Sequence, residues 1–239
     1  MLPVGRNATK SLQLLAATLS ILSSGCSDSV SHYYPLEAGL WWNYRIHTTI
    51  LDKPQHHRVL ISNLGMDVHH GRKVYIQRRS SATENYLKLT PDAILRVHTK
   101  VAAKAMDHPP GSIVMPANVE VGYTWMSESR LALIESRTFA RQDKLRRLDL
   151  PVELTFTITA SDEIIEVSAG RFDHCIKNDA TGERFVPTDR GNARAKVRVQ
   201  HSQWFAPGVG LAKSERNETS DSTFLIPGYY SLNLLRYGQ

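Results

Sequence analysis

Four histidines offer the first chemistry in this 239-residue chain. His56 with His57 and His69 with His70 form two pairs, and paired imidazoles suit zinc, copper or nickel. No cysteine or carboxylate cluster stands beside them at ligand spacing, and His69-His70-Gly71 falls where a hairpin turn belongs. They read as solvated turn and strand-end residues, and no metal is expected. His98, His108 and His201 are isolated. Cys175 follows His174 directly, a thiol beside a base, but neighbours on a strand point to opposite faces. Cys175 therefore reads as a buried, small apolar residue rather than a nucleophile. There is no Gly-x-Ser-x-Gly elbow and no glycine-rich loop ahead of a helix; Gly208-Val209-Gly210 is a turn. Asp162, Glu163 and Glu166 are strand-surface carboxylates. No catalytic residue and no cofactor is expected.

The remaining reactive group is Cys26. Arg6 and Lys10 precede an apolar run from Leu12 to Leu22, the length of a signal-peptide core and too short to span a bilayer. Ser23-Ser24-Gly25-Cys26 follows, and this arrangement resembles a bacterial lipobox, with Leu22 one place further from the cysteine than is usual. The resemblance implies cleavage before Cys26, a diacylglycerol thioether on its sulfur, and an acylated (palmitate-type) amine. Two or more acyl chains hold a soluble domain on a bilayer where one does so only marginally. Ser27 rather than an aspartate follows the cysteine. By resemblance to the Gram-negative sorting rule, that favours the outer membrane, periplasmic face. The expected organisation is a leader over residues 1–25, a tether over 26–32 and one domain over 33–239.

Loss of the leader removes two positive charges, taking the formal net charge from +6 to +4. Four excess positives on a mature chain of this length concern solubility and surface, and no nucleic-acid partner is expected. The basic run from Arg137 to Arg147 reads as a solvated loop, with contact to anionic head groups as the sharper reading. With Cys26 acylated, Cys175 has no partner for a disulfide.

The elements that must position any site are strands. From Leu40 to Leu51, Trp42, Tyr44, Ile46, Thr48 and Ile50 share one face, a period of two. Further strands are predicted over Arg58–Val68, Arg72–Arg79, Tyr86–Thr90, Ala93–Lys100, Val119–Glu128, Arg130–Phe139 and Val152–Ala160. Glu163–Val167 and Phe172–Ile176 form one strand interrupted at Ala169-Gly170. Ala195–Phe205 and Gly210–Glu218 flank the turn Ala206-Pro207-Gly208, and Phe224–Arg236 closes the chain. A short helix fits Lys100–Ala105, and Pro109-Pro110-Gly111 should end whatever stands there. Strands about ten residues apart with turn signals between them predict an all-β fold: an antiparallel curved sheet, open barrel or sandwich. Glu37-Ala38-Gly39-Leu40-Trp41-Trp42 recurs as Glu120-Val121-Gly122-Tyr123-Thr124-Trp125, which suggests two related halves, 33–112 and 113–239.

Three passages resemble an uncharacterised group of bacterial lipoproteins. Tyr34-Pro35-Leu36 through Gly39, Trp42 and Tyr44 matches its Y-P-L-x-x-G-x-x-W-x-Y opening. Ala169-Gly170-Arg171-Phe172 with Cys175 matches its A-G-x-F-x-x-C segment, with Ser168 where a proline is usual. Trp204-Phe205-Ala206-Pro207-Gly208-Val209-Gly210-Leu211 matches its W-F-A-P-G-V-G-L segment. The shared residues are glycines, prolines and aromatics, which shape turns and packing rather than chemistry. The resemblance implies a non-catalytic envelope lipoprotein that binds an envelope component or a protein partner. The alternative is a carrier or sensor of a lipophilic small molecule in an open barrel, with Trp42, Trp125 and Trp204 as the ligand platform.

Overall fold

The computed structural model describes residues 32–50, 53–102, 104–136, 146–188 and 193–239. The leader, Cys26 and the tether up to residue 31 lie outside the described residues, as do residues 137–145 of the basic run. The strands are β1 (Trp41–Ile50), β2 (Lys53–His69), β3 (Arg72–Arg79), β4 (Thr83–Leu89), β5 (Ala93–Val101), β6 (Lys104–Pro116), β7 (Thr124–Arg130), β8 (Glu135–Ser136), β9 (Arg146–Arg147), β10 (Pro151–Val167), β11 (Gly170–Pro187), β12 (Arg194–Ala206), β13 (Gly210–Ser220), β14 (Leu225–Ile226) and β15 (Gly228–Gly238).

Twelve of them form one antiparallel sheet in the order β6-β5-β4-β3-β2-β1-β15-β13-β12-β11-β10-β7. The fold is all-β, as the alternating pattern implies. The order divides into two six-stranded meanders, one from β1 to β6 and the other from β7 through β10, β11, β12 and β13 to β15. They join where β1 pairs with β15, with Ile46 opposite Leu232. The sheet curls so that its outermost strands meet: Ser127 Oγ on β7 donates to the Ile113 carbonyl on β6 at 3.0 Å. The result is a nearly closed barrel, and β14, β8 and β9 make a small separate sheet.

Period-two alternation fills the inside. On β1, Trp42, Tyr44 and Ile46 are buried, and on β12 Ala195, Val197, Val199 and Phe205 are. One end is packed with hydrocarbon from Val152, Leu154, Ala180, Val186, Val197 and Val199 against Leu131 and Ile134. Leu131 to Ile134 were expected in a strand over Arg130–Phe139. They instead leave the sheet after β7 and run across the end of the barrel, held by Glu218. That fully buried carboxylate accepts the backbone N–H groups of Ala132 (3.1 Å), Leu133 (2.9 Å) and Ile134 (3.1 Å) and the Arg216 Nε–H at 2.8 Å. Arg216 then donates to Ser129 Oγ and to the Arg130 carbonyl. A buried charge without partners is costly; here the ion pair and three amides supply them, which fixes the path of an otherwise irregular segment.

The far part of the β10–β11 hairpin bends at three register shifts between Ile158 and Ile165. It packs Ile165 and Cys175 against Trp204, and the Ala169 amide reaches the Leu234 carbonyl at 3.1 Å. Ala169-Gly170 is therefore the reversal of a hairpin, not an interruption of one strand, and Gly170 has φ +136°. The helix expected over Lys100–Ala105 is instead the end of β5 and the start of β6, turning at Ala102 with φ +51°. Pro109-Pro110-Gly111 does not end an element. β6 is an edge strand, where a missing N–H costs no ladder bond, and a register shift between Arg96 and His98 takes up the extra residues.

Candidate functional site

A cavity of about 180 Å³ lies between the first meander and strands β12 and β13 of the second, where the barrel is not packed shut. Cross-strand pairing builds its first wall. Gln77 on β3 stands opposite Asn85 on β4. Arg79 stands opposite Ile61 on β2, and Leu87 opposite Arg96 on β5. The second wall is Trp42 and Tyr44 from β1, Gln203 and Phe205 from β12, and Gly210 and Leu211 from β13. Tyr34 and Pro35 close one side. Gly210 allows this approach: its φ is +94°, and a Cβ there would sit 3.3 Å from Pro35 Cδ.

The aromatic residues are held in place by hydrogen bonds to the turn after β12. Trp42 Nε1–H donates to the Val209 carbonyl at 2.6 Å, and the Tyr44 hydroxyl to the Leu211 carbonyl at 2.8 Å. A polar chain fixes the segment before β1. The Tyr34 hydroxyl donates to Gln77 Oε1 (3.3 Å), Gln77 Nε2 to Asn63 Oδ1 (3.2 Å), and Asn63 Nδ2 to the Pro35 carbonyl (3.0 Å). Burial pushes the Tyr44 phenol well above its ordinary range and the Tyr230 phenol to about 12. Burial also raises Tyr34, although the positive charges of Arg79 and Arg96 pull it back. All three phenols are therefore neutral at neutral pH.

The charge in the cavity is carried by arginine. Arg78, next to Arg79 but on the other face of β3, is paired with Glu84 at 2.7 Å. Arg79 and Arg96 have no ion-pair partner among the described residues, and the Arg96 Nε–H is buried with no acceptor. Burial lowers the Arg96 pKa; Tyr34 and Glu128 oppose the shift, and the Arg79 charge adds to it. The lining holds no carboxylate, imidazole, thiol or aliphatic hydroxyl.

Of the three tryptophans expected to form the ligand platform, Trp42 and Trp204 belong to one apolar cluster and Trp125 lies outside it. Trp42 lines the cavity. Trp125 stacks on Phe156 with ring centres 5.2 Å apart, and its Nε1–H is buried without a partner. Trp204 is on the opposite face of β12 from Phe205, between Lys177 and Lys213, and donates to Glu163 at 2.6 Å. Cys175 is buried, and its thiol is pushed up to about 11 by burial and then by Asp173 and Glu163. His174 turns outward with φ +56° and meets Asp162 at 2.6 Å on the surface. His47 and His56 approach at 3.3 Å, and His69 packs against Tyr86 and His98. Among the described residues no three metal-ligating side chains converge. Reading the sequence for reactive groups missed Arg79 and Arg96. The available signal was parity: of two adjacent arginines on a strand, one must face inward.

No protein-family model matches the chain, and no curated protein matches it. Two solved structures are similar to it. One is described as an exported protein with a YmcC-like fold, from Bacteroides fragilis NCTC 9343; the TM-score is 0.39 at 11% identity, over 87% of this chain and 99% of that chain. The other is described as a lipoprotein, from Parabacteroides distasonis ATCC 8503; the TM-score is 0.40 at 12% identity, over 87% of this chain and 98% of that chain.

Proposed function

We propose that the chain is a non-catalytic binding protein of the bacterial envelope, anchored by lipid on Cys26 at the periplasmic face of the outer membrane, with the barrel cavity as its binding site. The observation that carries the binding reading is the cavity wall. It sets aromatic faces (Trp42, Tyr44, Phe205), amides (Gln77, Asn85, Gln203) and guanidiniums (Arg79, Arg96) around one space. Such a wall can hold and orient a ligand; it offers no general base and no nucleophile. The lipobox-like Ser23-Ser24-Gly25-Cys26 supports the anchor.

A carrier of a large lipophilic molecule is the weaker reading. Sites for such ligands are mostly apolar and measure several hundred Å³, whereas this one is about 180 Å³ and holds two guanidiniums. The anchor is tested by the intact mass of membrane-extracted protein beside a Cys26→Ala variant. The expected mass is that of residues 26–239 plus acyl chains, lost in the variant. An unacylated, freely soluble mature chain would refute the anchor.

A further inference from the structure

We propose that the cavity binds a compact organic anion, a carboxylate carried on a single ring or short apolar stem, with Arg79 and Arg96 as its counter-charges. This rests on the reading of the cavity as the binding site and adds the ligand's chemical class. Three observations converge on it.

The first is an electrostatic deficit. Several other cations on the sheet are matched: Arg78 with Glu84, Arg198 and Lys196 with Glu183, and the buried Arg216 with Glu218. In the cavity two cations share a space lined by no acid, and the Arg79 charge disfavours that of Arg96. A guanidinium partly withdrawn from water beside a second positive charge persists at a cost that an anion offsets. The second is an idle donor. The Arg96 Nε–H is buried and makes no hydrogen bond in a cavity otherwise well supplied with acceptors and donors. A guanidinium that presents Nε–H and an Nη–H along one edge matches the two oxygens of a carboxylate. The third is shape. Ile61, Leu87, Val114 and Phe205 form an apolar wall beside the polar one. The space suits an acid with a hydrocarbon face and is too small for a lipid chain. Arg79 is exposed and stands toward solvent, whereas Arg96 is more deeply set, so the two can receive an acid in succession from outside to inside.

A second basic groove separates this from simple attraction of anions. It is lined by Arg45, Arg58 and Arg236 with Asn43 and Ser168, and Arg45 stands opposite Arg58 across β1 and β2. Its arginines are exposed and it has no aromatic wall. It is the control.

The test is titration of the ¹⁵N-labelled mature domain (residues 26–239 with Cys26→Ala) with benzoate, benzamide and inorganic phosphate. The arginine Nε–H and tryptophan indole N–H signals are followed. Benzoate should shift the Arg96 Nε–H and Trp42 indole signals saturably. Arg79→Gln and Arg96→Met should each weaken it by about tenfold or more, while Arg45→Gln with Arg58→Gln should leave it within about twofold. Arg79 is exposed, so its variant tests the site even where Arg96→Met perturbs packing. No shift with benzoate, or a shift that survives both cavity variants, overturns the proposal. A response to phosphate alone overturns the organic-acid class. A response to benzamide and not to benzoate overturns the anion assignment while leaving the cavity as a binding site.

Discussion

The two meanders begin with the same turn and fill their interiors differently. Before β1, the Gly39 amide donates to the Asn63 carbonyl (3.0 Å) and the Asn63 amide to the Leu40 carbonyl (2.8 Å). Before β7, the Gly122 amide donates to the Ile158 carbonyl (2.8 Å) and the Ile158 amide to the Tyr123 carbonyl (3.0 Å). Trp42 and Trp125 follow three residues after each glycine, the first opposite Ile61 and the second opposite Phe156. At the matching position across the turn, however, one half has Asn63 and the other Ile158. Asn63 leads into the amide chain of the cavity, whereas Ile158 is plain hydrocarbon. Interior charge follows the same division. Arg216 in the second meander is neutralised by Glu218, while Arg79 and Arg96 in the first have no such partner. The second half neutralises its interior charge, whereas the first contributes both arginines and most of the wall of the cavity proposed as the binding site.

The largest expected effect is at Glu218. Glu218→Ala leaves three buried amides and the Arg216 guanidinium without their acceptor, and should cost about 3–5 kcal/mol. Urea denaturation measures it; a loss below about 1 kcal/mol would mean that residues 131–134 are held by packing alone. The next effect concerns acid. His201 lies in the second meander beside Phe156, meets Ser214 at 2.9 Å, and has its pKa lowered to about 3 by burial and by the Arg216 charge. In the unfolded chain it binds a proton near pH 6.5. Between these values the unfolded state holds more protons, so stability is complete above about pH 6.5 and falls as the pH drops toward 3, by at most ~1.4 kcal/mol per pH unit. His201→Gln should flatten that part of the curve. Thermal melts of both proteins from pH 7 to pH 4 decide it, and parallel curves would remove His201 as the cause.

Much of this contrast was legible before the structure, and the unread part has physical reasons. Alternation over Trp42, Tyr44 and Ile46 located β1 and its inner face, and Ala206-Pro207-Gly208 marked a true reversal, with Gly208 at φ +68°. The recurrence of glutamate, glycine and tryptophan fell on two turns with matching hydrogen bonds. What could not be read is whatever depends on residues far apart in sequence. Leu131 to Ile134 are apolar enough for a strand, and only Glu218, more than eighty residues later, draws them across the barrel end. Pro109-Pro110 reads as a terminator unless β6 is known to be an edge. Arg96 joins Arg79 in one cavity because the register shift between Tyr86 and Leu87 in the β4–β5 pair sets Leu87 opposite Arg96.

The equivalence of the two turns can be put to the test directly. Gly39 has φ +89° and Gly122 φ +94°, and an added Cβ finds open space or ordinary contact at both. Gly39→Val and Gly122→Val should therefore each cost about 1–3 kcal/mol through backbone strain alone, and by similar amounts. Denaturant midpoints for the two variants check this. A large loss at one with none at the other would show that the turns are alike in hydrogen bonding but not in energy.

The smallest effect separates the tryptophans themselves. Trp42→Phe and Trp125→Phe remove the same ring from two buried positions. Only the first also deletes a hydrogen bond and strands its acceptor, the Val209 carbonyl; the Trp125 N–H had no partner to lose. The first variant should be the less stable by about 1 kcal/mol. It should also loosen the turn that carries Gly210 and Leu211 in the cavity wall, which faster amide exchange at those residues would reveal. Equal stabilities would mean that the indole of Trp42 acts by packing, as that of Trp125 does, and that the first meander holds its cavity open without this bond.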